Sequence, residues 1–184
     1  MKFRDFLETA PEFSRLTPHD INDFEHIMHV ATYPDDYKFF NEGSARHKVY
    51  LIIEGEVSVT HHKPTERGSI KLKRLAAGEM FGLLSAITDI KHEASCHAVG
   101  QVTVASMPLH AFKLLYSSDT PLALHFQQLI TTQLARDYHS LIDLVRGVLF
   151  AKNESEILSA LSQHNNTAYT GPEKRIGERR QPMH

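Results

Sequence analysis

The sequence predicts a mainly β domain, a sandwich or a barrel, flanked by helices at both ends. Three observations carry this expectation. Between residues 33 and 107 apolar residues recur with period two, and Gly-containing turns divide them into short strands. Residues 1–30 and 109–151 show the i, i+3, i+4 spacing of amphipathic helices instead. Thr17-Pro18 and Thr120-Pro121 each pair a capping residue with a proline suited to a first helical turn.

The N-terminal segment, residues 1–30, reads as helical. Phe3, Phe6 and Leu7 share one face. In the second helix Thr17 caps, Pro18 fixes the first turn and Asp20 complements the positive helix N-terminus. Ile21, Phe24, Ile27 and Met28 form its buried stripe.

Residues 31–118 form the β region. Val49, Leu51 and Ile53 alternate with Tyr50 and Ile52, so this run is apolar on both faces. Glu54-Gly55-Glu56 punctuates it, and Val57 and Val59 continue the alternation. Thr60 to Ser69 is polar, holds Pro64 and Gly68, and reads as a hairpin loop. Ile70, Leu72 and Leu75 resume the pattern, and Val99 to Met107 alternates around Val102 and Val104. A short helix carrying Leu109, Phe112, Leu114 and Leu115 ends at Ser117-Ser118-Asp119.

Residues 119–164 hold a long helix and a short capping helix. The long one starts at Thr120-Pro121 and reaches about Phe150. Leu134, Tyr138, Leu141, Val145 and Val148 follow a 4-3-4-3 spacing, a coiled-coil-like seam. Ile130, Leu144 and Leu149 widen it, so one face suits the β region and another suits a second copy of the chain. The seam therefore predicts a homodimer. Asn153 and Glu156 make a capping box for the short helix bearing Ile157, Leu158 and Leu161. Residues 165–184 are polar and aperiodic, and are expected to be a disordered tail.

Composition narrows the function classes. The formal charge of -2 gives no global pull toward nucleic acid, although the 13 His can turn it positive in mild acid. The single cysteine, Cys96, forms no internal disulfide and holds no iron–sulfur cluster alone. A reducing, cytoplasmic setting is the expectation, with Cys96 as a small buried hydrophobe. No N-terminal apolar region suggests a signal peptide, and no apolar run approaches the roughly 20 residues of a membrane helix. There is no Walker loop and no nucleophile elbow, so no catalytic residues and no enzyme are expected. His61-His62 reads as a solvated pair rather than a metal site, and no metal is expected.

Four segments, in order and spacing, resemble the cyclic-nucleotide-binding (catabolite-activator, CRP/FNR-like) family. They are Pro11 to Leu16, Glu42-Gly43 followed by Val49 to Val59, Leu75 to Gly82, and Met107 to Phe112. The resemblance spans roughly residues 11–150. It implies a double-stranded β-helix (jelly-roll) barrel with N-terminal helices and a long C-terminal dimerisation helix. In bacterial regulators of this family that helix precedes a helix-turn-helix. Here the 20 residues from Asn165 are too few and too polar for one, so no specific DNA binding is expected.

The stretch Gly78 to Ala98 resembles the family's phosphate-binding cassette. The resemblance implies a backbone cradle at Gly82, Leu83, Leu84 and Ser85, and a pocket completed by His92, Glu93, Ala94 and Ser95. Where the family carries a Glu for the ribose hydroxyl this chain has Leu83, and where it carries the phosphate-binding Arg it has His92. Leu83 accepts no hydrogen bond, which leaves a ribose hydroxyl unpaired at about 1–3 kcal/mol. His92 is short, partly charged and unable to fork; a lost buried charge pair costs about 2–5 kcal/mol. Glu93 adds a negative charge. Lys91 or Arg46 offers a substitute cation, and His92 reads either as a pH-gated phosphate contact or as a polar rim residue. These residues imply a non-enzymatic sensor that does not bind cAMP or cGMP in the usual way, needs no cofactor, and acts through a small molecule or a protein partner. The alternatives are a genuine cyclic-nucleotide-responsive regulator and a purely structural dimerisation domain. Arg175 and Arg179 repeat the Arg-x-x-x-Arg spacing of PilZ domains, which bind cyclic di-GMP.

Overall fold

The computed structural model describes residues 2–62 and 69–150 of the 184-residue chain. The chain divides into two compact units, Met1–Tyr138 and His139–His184. The core and the pocket described below lie in the first. Of the second, the described residues are the end of the last helix.

In chain order the elements are α1 (Phe3–Thr9), a 3-10 turn (Pro11–Phe13), α2 (Pro18–Ile27), β1 (His29–Tyr33), β2 (Lys38–Phe40) and β3 (Lys48–His62). They continue with β4 (Ser69–Leu75), β5 (Met80–Phe81), α3 (Leu83–Thr88), β6 (Ser95–Pro108), α4 (Leu109–Tyr116) and α5 (Pro121–Phe150). Helix α2 begins where Thr17-Pro18 predicts. Thr17 Oγ1 accepts from the Asp20 N–H at 3.2 Å, and Asp20 Oδ2 accepts from the Thr17 N–H at 2.9 Å. Asp20 thus completes a reciprocal capping box, a stronger role than a dipole contact.

The strands form one antiparallel sheet with the path β1-β6-β3-β4, β2 attached to β6 and β5 attached to β3. This corrects the mainly β jelly-roll expectation. Among the described residues the strand path has two ends, β1 and β4, and no ladder joins them, so the sheet is open rather than closed into a barrel. The helices also hold more of the described residues than the strands, which makes the fold a mixed α/β one. Period-two patterning reports which face of a strand is buried; it carries no information on whether two edges meet.

The expected break at Glu54-Gly55-Glu56 is not a break. Strand β3 runs 15 residues through it and pairs with the 14-residue β6 from Lys48↔Pro108 to Thr60↔Ser95. Register shifts at Ile52/Glu54 and Glu54/Glu56 mark a bulge, which Gly55 permits at φ +89°. Continuity explains why β3 is apolar on both faces. Val49, Leu51 and Ile53 pack with Phe6, Leu7, Phe24, Phe112, Phe126 and Ile130 of the helices. Ile52 and Val57 pack on the other face with Leu75, Phe81, Cys96, Val102 and Val104. Burial pushes the Cys96 thiol up to about 12, so it stays protonated as a small hydrophobe.

The capping box at Asn153 and Glu156, the Arg175 and Arg179 pair and the middle of the polar hairpin lie outside the described residues.

A methyl group at Gly55 would stand 2.5 Å from the Gln101 carbonyl oxygen, at a positive φ. Gly55→Ala is expected to lower unfolding stability by about 1–3 kcal/mol or more in a denaturant titration. An unchanged midpoint would show that the bulge relaxes freely and is not a fixed feature of the β3–β6 pair.

Candidate functional site

The site is built where β5 hands over to α3. Gly82 caps α3 at φ +79°, and a Cβ there would approach the Lys48 carbonyl oxygen of β3 to 3.0 Å. Only glycine lets the chain turn this close to the neighbouring strand. Beside it lies a cavity of about 280 Å³. Of the candidate residues Gly82, Leu83, Leu84, Ser85, His92, Glu93 and Ala94 line it. Ser95 does not; its Oγ accepts from the Glu42 N–H at 2.9 Å at the start of β6.

The lining is chiefly apolar. Leu83 is buried in the helix-side core, while Leu84 is exposed. His92 is not a rim residue. It is 5% exposed, its ring stacks on Phe40 with centroids 3.7 Å apart, and its Nδ1 lies 2.9 Å from Ser85 Oγ. The Gly43 N–H donates to the His92 carbonyl at 2.7 Å, and the His92 N–H donates to the Ser44 carbonyl at 3.2 Å. Burial, helped by the electrostatic influence of the neighbouring His47 and Arg46 side chains, lowers the His92 pKa.

Of the two substitute cations, Lys91 lines the cavity and Arg46 does not. The Arg46 guanidinium is held by Asp89, donating to its carbonyl at 2.6 Å and lying 2.9 Å from Oδ1, and Arg46 does not line the cavity. Lys113 shares that carboxylate at 2.6 Å and, with Arg46, holds it below the usual carboxylate range. Lys91 lines the cavity but is exposed. His61 lies at the end of β3, with Nδ1 3.1 Å from Glu42 Oε2 and 3.2 Å from the Glu93 carbonyl. Among the described residues no group of three side chains is placed to hold a metal ion.

Sequence reasoning missed the third wall, which comes from α5 through Gln133, Leu134 and Asp137. Gln133 is buried and binds the Met80 backbone twice: Oε1 accepts from its N–H and Nε2 donates to its carbonyl, both at 2.7 Å. Asp137 Oδ1 meets Lys73 Nζ of β4 at 2.5 Å. The signal was a polar residue at the i+3 position from Ile130, inside the buried stripe. The expected seam divides along the helix. Leu134 packs against the core and Val148 is half-buried, whereas Tyr138, Leu141 and Val145 are exposed.

Residues 31–119 match the profile of the cyclic nucleotide-binding domain. That segment belongs to this family. Domains of this type are non-catalytic regulatory modules. A cAMP-dependent protein kinase regulatory subunit from Colletotrichum orbiculare is 28% identical over 113 residues, 61% of this chain and 28% of that protein. The chain thus spans little more than a quarter of that relative's length. Two solved structures share the fold. A cyclic nucleotide-binding domain from Methylobacillus flagellatus superposes with a TM-score of 0.61 at 22% identity, covering 76% of this chain and 80% of that one. The regulatory subunit of a cAMP-independent protein kinase A from Trypanosoma cruzi, bound to guanosine, gives 0.54 at 18% identity, covering 71% and 50%. Among the described residues no helix is long and apolar enough to cross a membrane.

His92 is expected to titrate below its ordinary value of 6.5, and so to be neutral at pH 7. Because its folded pKa is lowered, the unfolded chain takes up the proton first. Stability from this residue therefore falls as pH drops below 6.5. Ring-nitrogen NMR titration measures the first effect. Thermal unfolding at pH 5.5 and 7.5, compared with His92→Asn, measures the second. A midpoint at or above 6.5 contradicts the buried, uncharged assignment.

Proposed function

We propose that this chain is a cyclic-nucleotide-family sensor that takes a purine nucleoside, free or as its cyclic phosphate, in the pocket beside Gly82 and reports occupancy through α5. The observation that carries the reading is the shared wall: α5 closes the cavity and is tied by Gln133 to Met80, two residues before Gly82. A ligand that shifts β5 or α3 must strain or break that pair of hydrogen bonds, so occupancy and helix position are coupled. The names of the relatives support the ligand class, since one is cAMP-dependent and another is bound to guanosine. This favours the nucleotide-responsive alternative over a sensor that works only through a protein partner. A purely structural domain has less support, because such a domain needs no cavity of this size. The ligand-facing residues in this reading are Gly82, Leu83, Leu84, Ser85, His92, Glu93 and Ala94.

The same reading includes a homodimer through the exposed stripe of Tyr138, Leu141 and Val145, continued by Val148, and a cytoplasmic setting. Exposed apolar side chains at this spacing lose water-accessible surface when two helices pair.

Calorimetric titration with adenosine, guanosine, cAMP and cGMP tests the sensor. At least one ligand is expected to bind at micromolar Kd or tighter, about -8 kcal/mol or better. Silence from all four removes the reading. For the dimer, sedimentation equilibrium is expected to give twice the monomer mass for the native chain and the monomer mass for Leu141→Asp. A monomeric native chain at 100 μM, on the order of the weakest self-association of interest, ends that part.

A further inference from the structure

Resting on that pocket as the sensing site, we infer that it selects an uncharged nucleoside over the cyclic phosphate of the same nucleoside.

The charge lining the cavity comes from two lysines and two carboxylates, Lys73, Lys91, Glu93 and Asp137. Lys73 is already committed to Asp137 at 2.5 Å, with Glu79 Oε1 a further 4.0 Å contact. Lys91 and Glu93 flank His92 in sequence, are of opposite sign and are both exposed, where water screens each of them. Arg46, the guanidinium next to this segment, is bound to Asp89 outside the cavity. A phosphate would therefore give up its hydration for a lining in which two lysines face two carboxylates and no net positive charge results, which is the costly way to bury an anion.

The buried polar pair is committed within the protein. Ser85 Oγ lies 3.1 Å from the Gly82 carbonyl oxygen and 2.9 Å from His92 Nδ1, so the imidazole presents only its Nε2 for any further contact. A single ring nitrogen makes one hydrogen bond, where a guanidinium would clamp a phosphate with two. The flat apolar faces of a base suit Phe40, Val59, Leu75 and Met80, which present carbon to the same space.

The test titrates the full chain with adenosine, guanosine, cAMP and cGMP at pH 7.5. A nucleoside is expected to bind at least about tenfold tighter than its own cyclic phosphate. Equal or tighter binding of a cyclic phosphate overturns the selectivity and leaves the proposed sensor standing. Absence of binding by all four overturns both. Two variants sharpen the result. Glu93→Ala removes an exposed carboxylate and is expected to narrow the preference. Adding His92→Arg to it supplies the missing cation and is expected to reverse the preference, with circular dichroism checking the fold. If the double variant does not fold, Glu93→Ala alone decides: an unchanged ratio counts against the electrostatic origin of the selectivity. A folded double variant that still prefers the nucleoside does the same.

Discussion

The antiparallel pairing of β3 with β6 is the constraint on which the rest of the described structure depends. Both strands are long, and every other strand attaches to one of them: β4 and β5 to β3, β1 and β2 to β6. Because β3 is apolar on both faces, the pair divides the interior into two packed sides. Helices α1, α2, α4 and α5 cover one side, and the residues of β2, β4 and β5 help fill the other. The site is a product of this arrangement. Gly82 is pressed against the first residue of β3, and the segment carrying His92 runs directly into β6. The two halves of the pocket are therefore brought together by a ladder of backbone hydrogen bonds, and each half has little freedom to drift.

Gln133 performs the corresponding task for α5. A buried amide has two donors and an acceptor to satisfy, and Met80 offers one backbone donor and one acceptor in the correct order. Loss of that side chain would strand both backbone groups in the interior, at about 1–3 kcal/mol each. With Gln133 buried and Leu134 packed on the core, the contact fixes which face of this part of α5 meets the sheet.

Much of the local structure was legible in the sequence because local rules govern it. Thr17, Pro18 and Asp20 encode a helix start within four residues, and Phe3, Phe6, Leu7, Ile21 and Phe24 reveal their burial by spacing alone. Seven of the pocket residues were legible because glycine geometry and a short helix confine them to one stretch of chain. The closure of the sheet was not legible, since whether β1 meets β4 depends on strand twist and length rather than alternation. Gly55 misled in the same way: a glycine in a strand pattern signals a turn or a bulge, and the cross-strand pairing decides which. The contribution of Gln133, Asp137 and Lys73 was hidden because they come from α5 and β4, each separated from Gly82 in sequence, and only tertiary packing brings them to one wall.

The burial of His92 changes the meaning of the two substitutions in the cassette. A lost arginine that left an open, solvated notch would be a simple deletion of function. Here the position is rebuilt: Phe40 covers the ring face, Ser85 takes the Nδ1 contact, and Gly43 and Ser44 pin the backbone on both sides. Leu83 at the other changed position is likewise absorbed into the core rather than left facing water. An isolated charge at either place would require a partner that the surrounding side chains do not supply. The two changes are therefore consistent with one another and with the apolar walls. They describe a cassette in which both changed positions are filled by packed side chains rather than left as gaps.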